Sequence, residues 1–476
     1  MPGSDLPNVV AIDLGAQSCR VSLLRWVDGL PHIELVHRFS NAPVAREGSL
    51  YWNLDRILFE LENGLTLCAE RCIEPIAAIG VDGWAVDYVR LDDRGMPLGQ
   101  PHCYRDTRTD ATFLDLHSRC SESRLFTMGG THPMRLNTIY QLMADEKAGI
   151  PHDAPWINLP EYVLGRLGGR FVAEYTNATH TGLVDPHTRT WNPGIFALAG
   201  LDIGTAPELV PTGTQVGMVN GPLGRSSAFA HTQLIAAACH DTAAAVAAIP
   251  FEGDDWAYLS SGTWSLLGIL LEAPVTTQQA CGAGFTNLGA PGDRICFHKH
   301  VNGMWLLQQT MGQLCGENNT WPMEKLVAAA ATLPSPEGLI DVDHPELLLP
   351  GPAASRINSQ RAAAGHPAIE EYESSMPQFA NLIFHSLASR YAESLREAER
   401  LTGRKLKRLA VVGGGSLNRH LNRLTAEATG LEVFCGVVES STIGNFAVQL
   451  ATLEGQPNAP ARIAYWAHRL TSLHSY

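Results

Sequence analysis

Several features that mark whole classes of protein are missing from this sequence. Its ten cysteines (Cys19, Cys68, Cys72, Cys103, Cys120, Cys239, Cys281, Cys296, Cys315 and Cys435) are scattered with no Cys-x-x-Cys pair, which points to reduced thiols and against a disulfide framework. No Gly-x-x-x-x-Gly-Lys-Ser/Thr run occurs, so a P-loop mechanism is excluded. No uninterrupted apolar run approaches membrane-spanning length. Met1 to Pro7 has neither a basic start nor an apolar core, so no signal peptide is readable and the cytoplasm is the expected compartment. Positive charge is also scarce: 34 Lys and Arg against 48 Asp and Glu leave a formal charge of −14. Phosphate backbones and acidic lipids would be repelled over most of such a surface, which excludes nucleic acid and membrane as expected partners. A small-molecule substrate is the better expectation.

What is present is an ordinary globular composition, 476 residues at 45% hydrophobic and 17% charged, enough for about two to four domains. The first seventy residues read β-β-β-α. Val9 to Ile12 is a short apolar strand, Cys19 to Trp26 an alternating return strand, Ile33 to Phe39 a third, and a helix follows from about Asp55 to Cys72. Ile76 to Val81 adds a strand with Tyr88 to Leu91 as its hairpin partner. Trp256 to Leu259, the turn Ser260 to Thr263 and Trp264 to Leu270 repeat the opening strand-turn-strand theme, which predicts two related lobes, 1–245 and 246–476. The clearest helix runs from about Pro377 to Thr402, with Ser375 as cap and Gly403 as stop. Pro334 to Pro367 reads as irregular surface chain.

Four places carry chemistry. Asp241, within Cys239-His240-Asp241-Thr242, is either the N-cap of an alanine-rich helix or a carboxylate that accepts a substrate proton. The Ser260-Ser261-Gly262-Thr263 turn could present N–H groups and hydroxyls to phosphate. Asp13-Leu14-Gly15-Ala16-Gln17-Ser18 is either an ordinary hairpin turn or an anion-binding nest whose Asp13 holds the water shell of Mg²⁺. Gly413-Gly414-Gly415 leaves a side-chain-free surface suited to a nucleotide, although it lacks the Gly-x-Gly-x-x-Gly spacing. Three further clusters have plainer readings. Asp82-Gly83-Trp84-Ala85-Val86-Asp87 either stacks on a sugar or forms a core Trp with a turn Asp. Cys68 and Cys72 read as buried small hydrophobes, and His298 and His300 share one side of a strand without the further ligands zinc would need.

Taken in order, Asp13-Leu14-Gly15-Ala16, Gly80-Val81-Asp82-Gly83-Trp84, His240-Asp241-Thr242 with Ser260 to Ser265, and Gly413-Gly414-Gly415 resemble the FGGY carbohydrate kinase family over nearly the whole chain. Within it the strings His37-Arg38-Phe39, Trp84 to Tyr88, Tyr104-Arg105-Asp106-Thr107-Arg108-Thr109, Glu174-Tyr175-Thr176-Asn177-Ala178-Thr179 and Gly303-Met304-Trp305-Leu306-Leu307-Gln308 are most similar to the rhamnulokinase branch. The resemblance implies an α/β fold of two actin-like ATPase (ribonuclease H-like) lobes with a ligand cleft between them. It implies phosphoryl transfer from ATP, with Mg²⁺, to the 1-hydroxyl of L-rhamnulose. By position Asp241 is then the catalytic base, and Gly83, His240, Thr242 and His300 contact the sugar. Asp13 (through water to Mg²⁺), Ala16, Gln17, Ser18, Cys19, Arg20, Thr263, Gln308 and Gly415 serve the nucleotide side. Cys19 departs from the glycine usual in the first phosphate turn and adds bulk there. His300 departs from the usual asparagine and can replace one amide hydrogen bond but not two. An aspartate of ordinary pKa about 3.9 at a helix N-terminus is expected to be a weak base. The rival readings are a kinase for another ketose such as L-fuculose and a non-catalytic sugar-responsive actin-like module.

Overall fold

A computed structural model describes residues 6–316, 321–436 and 438–471 and the backbone of 474–475. The chain clusters into two units, each assembled from separate stretches: Met1–Glu252, Leu270–Phe297 and Ser440–Thr471 make the first, and Gly253–Ile269, His298–Glu439 and Ser472–Tyr476 the second.

In the first unit β1 (Asn8–Leu14) is buried along its whole length, as a near-continuous apolar strand covered on both faces must be. A tight turn leads to β2 (Ser18–Val27), antiparallel to β1, and Asp28-Gly29 to β3 (Leu30–Ser40). α1 (Leu54–Arg71) starts where Asn53 accepts the Arg56 N–H at 3.0 Å, and it buries Leu54, Ile57, Leu61, Leu65 and Cys68 at helical spacing. It is the crossover to β4 (Ile76–Gly83), parallel to β1. β5 (Thr214–Met218) and β6 (Gln233–Ala236) complete a six-stranded sheet ordered β5-β6-β4-β1-β2-β3. After β6 the chain enters the short helix α2 (Asp241–Ala247).

The second unit repeats the plan. β7 (Trp256–Ser261) and β8 (Trp264–Leu271) pair antiparallel, and β9 (Arg294–Asn302) flanks β8, the ends of β8 and β9 being grouped with the first unit. Then come α3 (Met304–Cys315), α4 (Met323–Ala331), α5 (Ala353–Ala363) and the long α6 (Met376–Thr402), which Gly403 ends in the left-handed region at φ 72°. β10 (Arg408–Val412) joins β7 in parallel, and after α7 (Arg419–Thr429) β11 (Glu432–Cys435) joins β10 in parallel. The run β9-β8-β7-β10-β11 therefore echoes β3-β2-β1-β4-β6, the duplicated mixed sheet expected of two related lobes. α8 (Ser440–Leu453) returns to the first unit, packing on β1, β4 and α2.

Three expectations change. Tyr88–Arg90 pairs with Trp156–Asn158 rather than with β4. The cause is a sharp reversal at Val86, whose φ of 72° is strained for a β-branched residue and whose carbonyl is held by the Thr138 hydroxyl at 2.7 Å. Residues 334–367 are not irregular throughout, because α5 forms there and buries Ala353, Ala354, Ile357 and Arg361 along one face; its alanines were helix formers rather than loop composition. Asp241 is not the N-cap of α2. His240 takes that position with extended backbone, its carbonyl accepting the Ala244 N–H at 2.9 Å, and Asp241 is the first helical residue.

α8 can approach α2 only because residue 444 is glycine, since a Cβ there would lie 1.7 Å from the Ala244 carbonyl oxygen. Backbone cannot yield as a side-chain tip can, so Gly444→Ala is expected to cost about 1–3 kcal/mol by overpacking. A thermal melt checks this, and an unchanged midpoint would contradict the packing described.

Candidate active site

The parallel register of β1 and β4 sets Asp13 beside Asp82 and Leu14 beside Gly83, at the carboxyl ends of both strands. That is where open α/β sheets leave room for ligands. Asp13, buried, accepts from Arg20 Nη1 at 2.9 Å and from Ser441 Oγ at 3.0 Å, both on Oδ2. Asp82, fully buried, accepts from Asn445 Nδ2 at 2.7 Å, and Asn445 is fixed in turn by Gln449, which also donates to the Val10 carbonyl at 2.9 Å. Gly80 gives Asn445 its space, since a Cβ there would meet Asn445 Oδ1 at 2.3 Å. Burial drives the Asp82 pKa well above the usual carboxylate range, and the charges of Asp13 and Asp241 push it further, against the Asn445 hydrogen bond.

The third strand end brings in the segment after β6. Gly83 bridges to His240 in parallel, and its N–H donates to the Cys239 carbonyl at 3.0 Å. Gly83, His240, Asp241 and Thr242 are therefore assembled with Asp13 and Asp82 in one unit. Thr242 Oγ1 donates to Asp241 Oδ1 at 3.2 Å, and His240 Nε2 lies 3.2 Å from the same oxygen. The Asp241 side chain keeps 39% of its surface open. Water reaches it, but protein fills most of the volume around it, and this desolvation lifts its pKa to about 6 against the Thr242 hydroxyl and N–H. The expectation of a base weakened by its helix N-terminus is thus corrected: α2 is too short, and the carboxyl too deeply set, for the helix dipole to dominate. Burial likewise drops His240 to about 3, so its ring is neutral.

The segment Glu174 to Thr179 braces this turn. The buried Glu174 carboxylate accepts from the hydroxyls of Thr176 and Thr212 and from the Cys239 N–H at 3.0 Å, and Thr176 Oγ1 accepts the His240 N–H at 3.3 Å. Trp84 and Asp87 turn out to be core. Asp87 accepts from Trp52 Nε1 at 2.6 Å and Trp84 Nε1 at 3.0 Å, and the two indoles pack at 4.5 Å. The sugar-stacking reading of that turn is therefore set aside. In the turn between β1 and β2 Gln17 is exposed, Ala16 and Ser18 are half-buried, and Arg20 is engaged by Asp13. The Cys19 side chain faces the other way, into the core under β1, with its thiol on the Gly15 carbonyl at 3.7 Å and its pKa pushed up to about 12 by burial. It adds no bulk to the turn.

The second unit holds a cavity of about 1010 Å³. Gly262 and Thr263 line it from the β7–β8 turn, Met304 and Gln308 from one face of α3, and Val327, Ala328 and Ala331 from α4. The turn carbonyls of Gly262 and Thr263 accept the N–H groups of Met304 and Trp305 at 3.1 and 3.0 Å, so helix and turn are one rigid piece. Gly303 is glycine because a Cβ would lie 2.8 Å from the Thr263 carbonyl oxygen. The three consecutive glycines divide their labour. Gly413 adopts φ 79°, Gly415 gives way to Ser261, whose Oγ would sit 1.9 Å from a Cβ, and Gly414 meets nothing and opens to the cavity. Sequence reasoning brought Thr263, Gln308 and Gly415 here but missed Asn418. Its Oδ1 caps α7 on the Leu421 N–H at 3.1 Å, its buried Nδ2 has no hydrogen-bond partner among the described residues, and the residue lines the cavity. His300 lies outside this lining, beside His298 at 5.5 Å between ring centroids. As expected, the two imidazoles share one side of β9.

For Mg²⁺ the first unit offers hard oxygens, and Asp82 Oδ1 is buried without a hydrogen-bond partner among the described residues. Among the described residues no three His, Cys, Asp or Glu side chains converge as a metal-binding set. An ion would therefore take few protein ligands and complete its shell with water and phosphate, as Mg²⁺ commonly does. Among the described residues no helix is long and apolar enough to cross a membrane, and eight of the ten cysteines are buried.

Residues 8–248 match the FGGY family of carbohydrate kinases, N-terminal domain, and residues 257–453 match the C-terminal domain of the same family. The crystal structure of gluconate kinase from Lactobacillus acidophilus is similar, with a TM-score of 0.78 at 15% identity over 99% of this chain and 94% of that one. Plasmodium falciparum glycerol kinase with ADP gives 0.74 at 14% identity over 98% and 94%. A carbohydrate kinase from Novosphingobium aromaticivorans gives 0.66 at 18% identity over 98% of both chains. At such identities the likeness shows the fold, a two-domain α/β structure of the actin-like ATPase type.

Because the folded-state pKa of Asp241 is raised, the native protein binds a proton more tightly than the unfolded chain does, and the ionised carboxyl costs stability above about pH 6. Asp241→Asn is therefore expected to raise the thermal midpoint at pH 8, with the gain shrinking as pH falls through 6 toward 4. A gain that is absent at pH 8, or that grows toward pH 4, would contradict the raised pKa.

Proposed function

The chain belongs to the FGGY family of carbohydrate kinases, and from that premise we propose that it transfers the γ-phosphoryl group of ATP to the 1-hydroxyl of L-rhamnulose, giving L-rhamnulose 1-phosphate and ADP. The observation that carries the reaction type is Asp241, an accessible carboxyl with its pKa lifted to about 6 amid the strand-end cluster. A carboxylate at about 6 is ionised at neutral pH yet basic enough to take a proton late in a loose transition state. The 1-hydroxyl oxygen forms the new P–O bond, the bond between the γ-phosphorus and the β,γ-bridging oxygen breaks, and the hydroxyl proton passes to Asp241. ADP leaves.

The chain's other groups position the reactants and balance charge. Gly83, His240, Thr242 and His300 contact the sugar in this reading. Gly83 earns its place sterically, since a Cβ there would lie 2.7 Å from the Leu14 side chain. The cavity of the second unit takes the nucleotide: Val327, Ala328 and Ala331 offer an apolar wall for a base, Gly414 and Gly415 a smooth floor, and Asn418, Thr263 and Gln308 polar contacts. Asp13, with the first turn from Ala16 to Arg20, serves the phosphates, and Asp13 holds Mg²⁺ through water. When bound, that ion neutralises charge on the phosphate oxygens. Transfer then relies on alignment and neutralisation more than on the strength of the base.

L-Rhamnulose is favoured over other acceptors by the Tyr104 to Thr109 and Glu174 to Thr179 strings. Glu174 and Thr176 shape the backbone of the His240 turn by accepting the N–H groups of Cys239 and His240. A coupled ADP-release assay with L-rhamnulose, L-fuculose, D-xylulose, D-gluconate and glycerol tests this. L-Rhamnulose is expected to lead in kcat/KM by about tenfold or more, the discrimination that a few pocket contacts supply. A different leading acceptor would overturn the sugar, and no sugar-dependent ADP release would overturn the reaction.

A further inference from the structure

His180 lies outside every group of residues given a role above, yet its ring touches that of His240. It sits in the 3₁₀ turn Thr179–Thr181, whose backbone is fixed from several sides. Asn137 Nδ2 donates to the His180 carbonyl at 3.0 Å, Thr131 Oγ1 to the Thr179 carbonyl at 2.8 Å, and Thr181 Oγ1 to the Ala178 carbonyl at 2.6 Å. From that fixed base His180 Nε2 comes to 3.1 Å from His240 Nδ1, with ring centroids 3.8 Å apart. On the far side of the same ring His240 Nε2 stands 3.2 Å from Asp241 Oδ1.

The proton inventory of this row follows from charge. A neutral, buried imidazole carries one proton, and the bond made by one ring nitrogen decides the state of the other. A carboxylate oxygen 3.2 Å from His240 Nε2 repels a lone pair on that nitrogen and attracts an N–H, so the proton belongs on Nε2. Nδ1 is then an acceptor, and the partner that reaches it is His180, with its own proton on Nε2. We propose that His180 is a positioning residue for phosphoryl transfer: it holds His240 as the Nε2–H tautomer, which with the Thr242 hydroxyl gathers the local donors on Asp241 Oδ1 and leaves Oδ2 to take the sugar proton. His180 touches no reacting atom in this scheme. It acts through His240, and the proposal rests on Asp241 being the base of a sugar kinase.

The test compares wild type with His180→Leu and His180→Gln. Leucine fills the space without a donor, while the glutamine amide nitrogen falls near the place of Nε2 and can donate to His240 Nδ1. In ¹⁵N-histidine-labelled protein, wild-type His240 is expected as the Nε2–H tautomer, retained in His180→Gln and mixed or reversed in His180→Leu. With the preferred sugar, kcat of His180→Leu is expected to fall about tenfold, the worth of one well-placed hydrogen bond, with both KM values held within about threefold and His180→Gln restoring most of the rate. The proposal is overturned if His180→Leu leaves the tautomer and kcat unchanged, if His180→Gln is as impaired as His180→Leu, or if the loss falls on the sugar KM instead of kcat. A wild-type protein that phosphorylates no sugar would sink the kinase reading instead, and the nitrogen spectra would still decide whether His180 sets the His240 tautomer.

Discussion

The register of β1 against β4 is the constraint on which the rest depends. Pairing Asp13 with Asp82 at adjacent strand ends forces two carboxyls into a place that burial makes hostile to both. Like charges in a poorly solvated site cannot both ionise without help. The help comes from Arg20 across the β1–β2 hairpin for Asp13 and, from far along the chain, from Ser441 and Asn445 of α8 for Asp13 and Asp82. This explains why the chain, after β11 of the second unit, sends a helix back to the first. It also explains why that helix is built of small and polar residues where it meets β4 and α2. Gly444 permits the approach, and Asn445 and Gln449 make polar contacts that an apolar helix could not.

The same logic places Asp241. A carboxyl that water reaches, but that is surrounded mostly by protein, has its pKa lifted to about 6, and folding gives up some stability to keep it ionised at neutral pH. Functional sites commonly hold such groups where structure alone would not. The surroundings limit the cost. His240 is kept neutral by burial rather than adding a charge, Thr242 supplies a hydroxyl, and the Glu174 to Thr179 segment fixes the turn through Cys239 and His240. The second unit achieves rigidity differently, by steric means. Gly303, Gly413 and Gly415 each stand where a Cβ would strike backbone or a buried serine, and the cavity that Gly415 lines is accordingly smooth and preformed.

Much of this was legible in the sequence, for identifiable reasons. Long apolar strands, the capped and glycine-stopped α6, and the recurrence of strand-turn-strand after about 250 residues are local signals, and local signals survive folding. What failed depended on tertiary context. Asp241 looked like an N-cap because Asp before an alanine run usually is one, but the bridge between Gly83 and His240 moves the cap back one residue. Trp84 and Asp87 fitted a sugar platform and a core cluster equally well until Trp52, thirty-two residues upstream of Trp84, claimed both. Cys19 looked obstructive only while the face of β2 it occupies was unknown. Ser441, Asn445 and His180 gave no sequence signal, since each matters through a partner far along the chain.

The central claim is that Asp241 supplies the base for phosphoryl transfer and is not needed to assemble either binding site. Its most direct test is ³¹P NMR of ATP and L-rhamnulose mixed with the Asp241→Asn protein, alongside calorimetric titration of each ligand alone. The account predicts loss of sugar phosphate formation by about three orders of magnitude or more, as removal of an essential proton acceptor commonly causes, with both ligands still bound within a few-fold of wild type. Transfer within about tenfold of wild type, with binding intact, would contradict it.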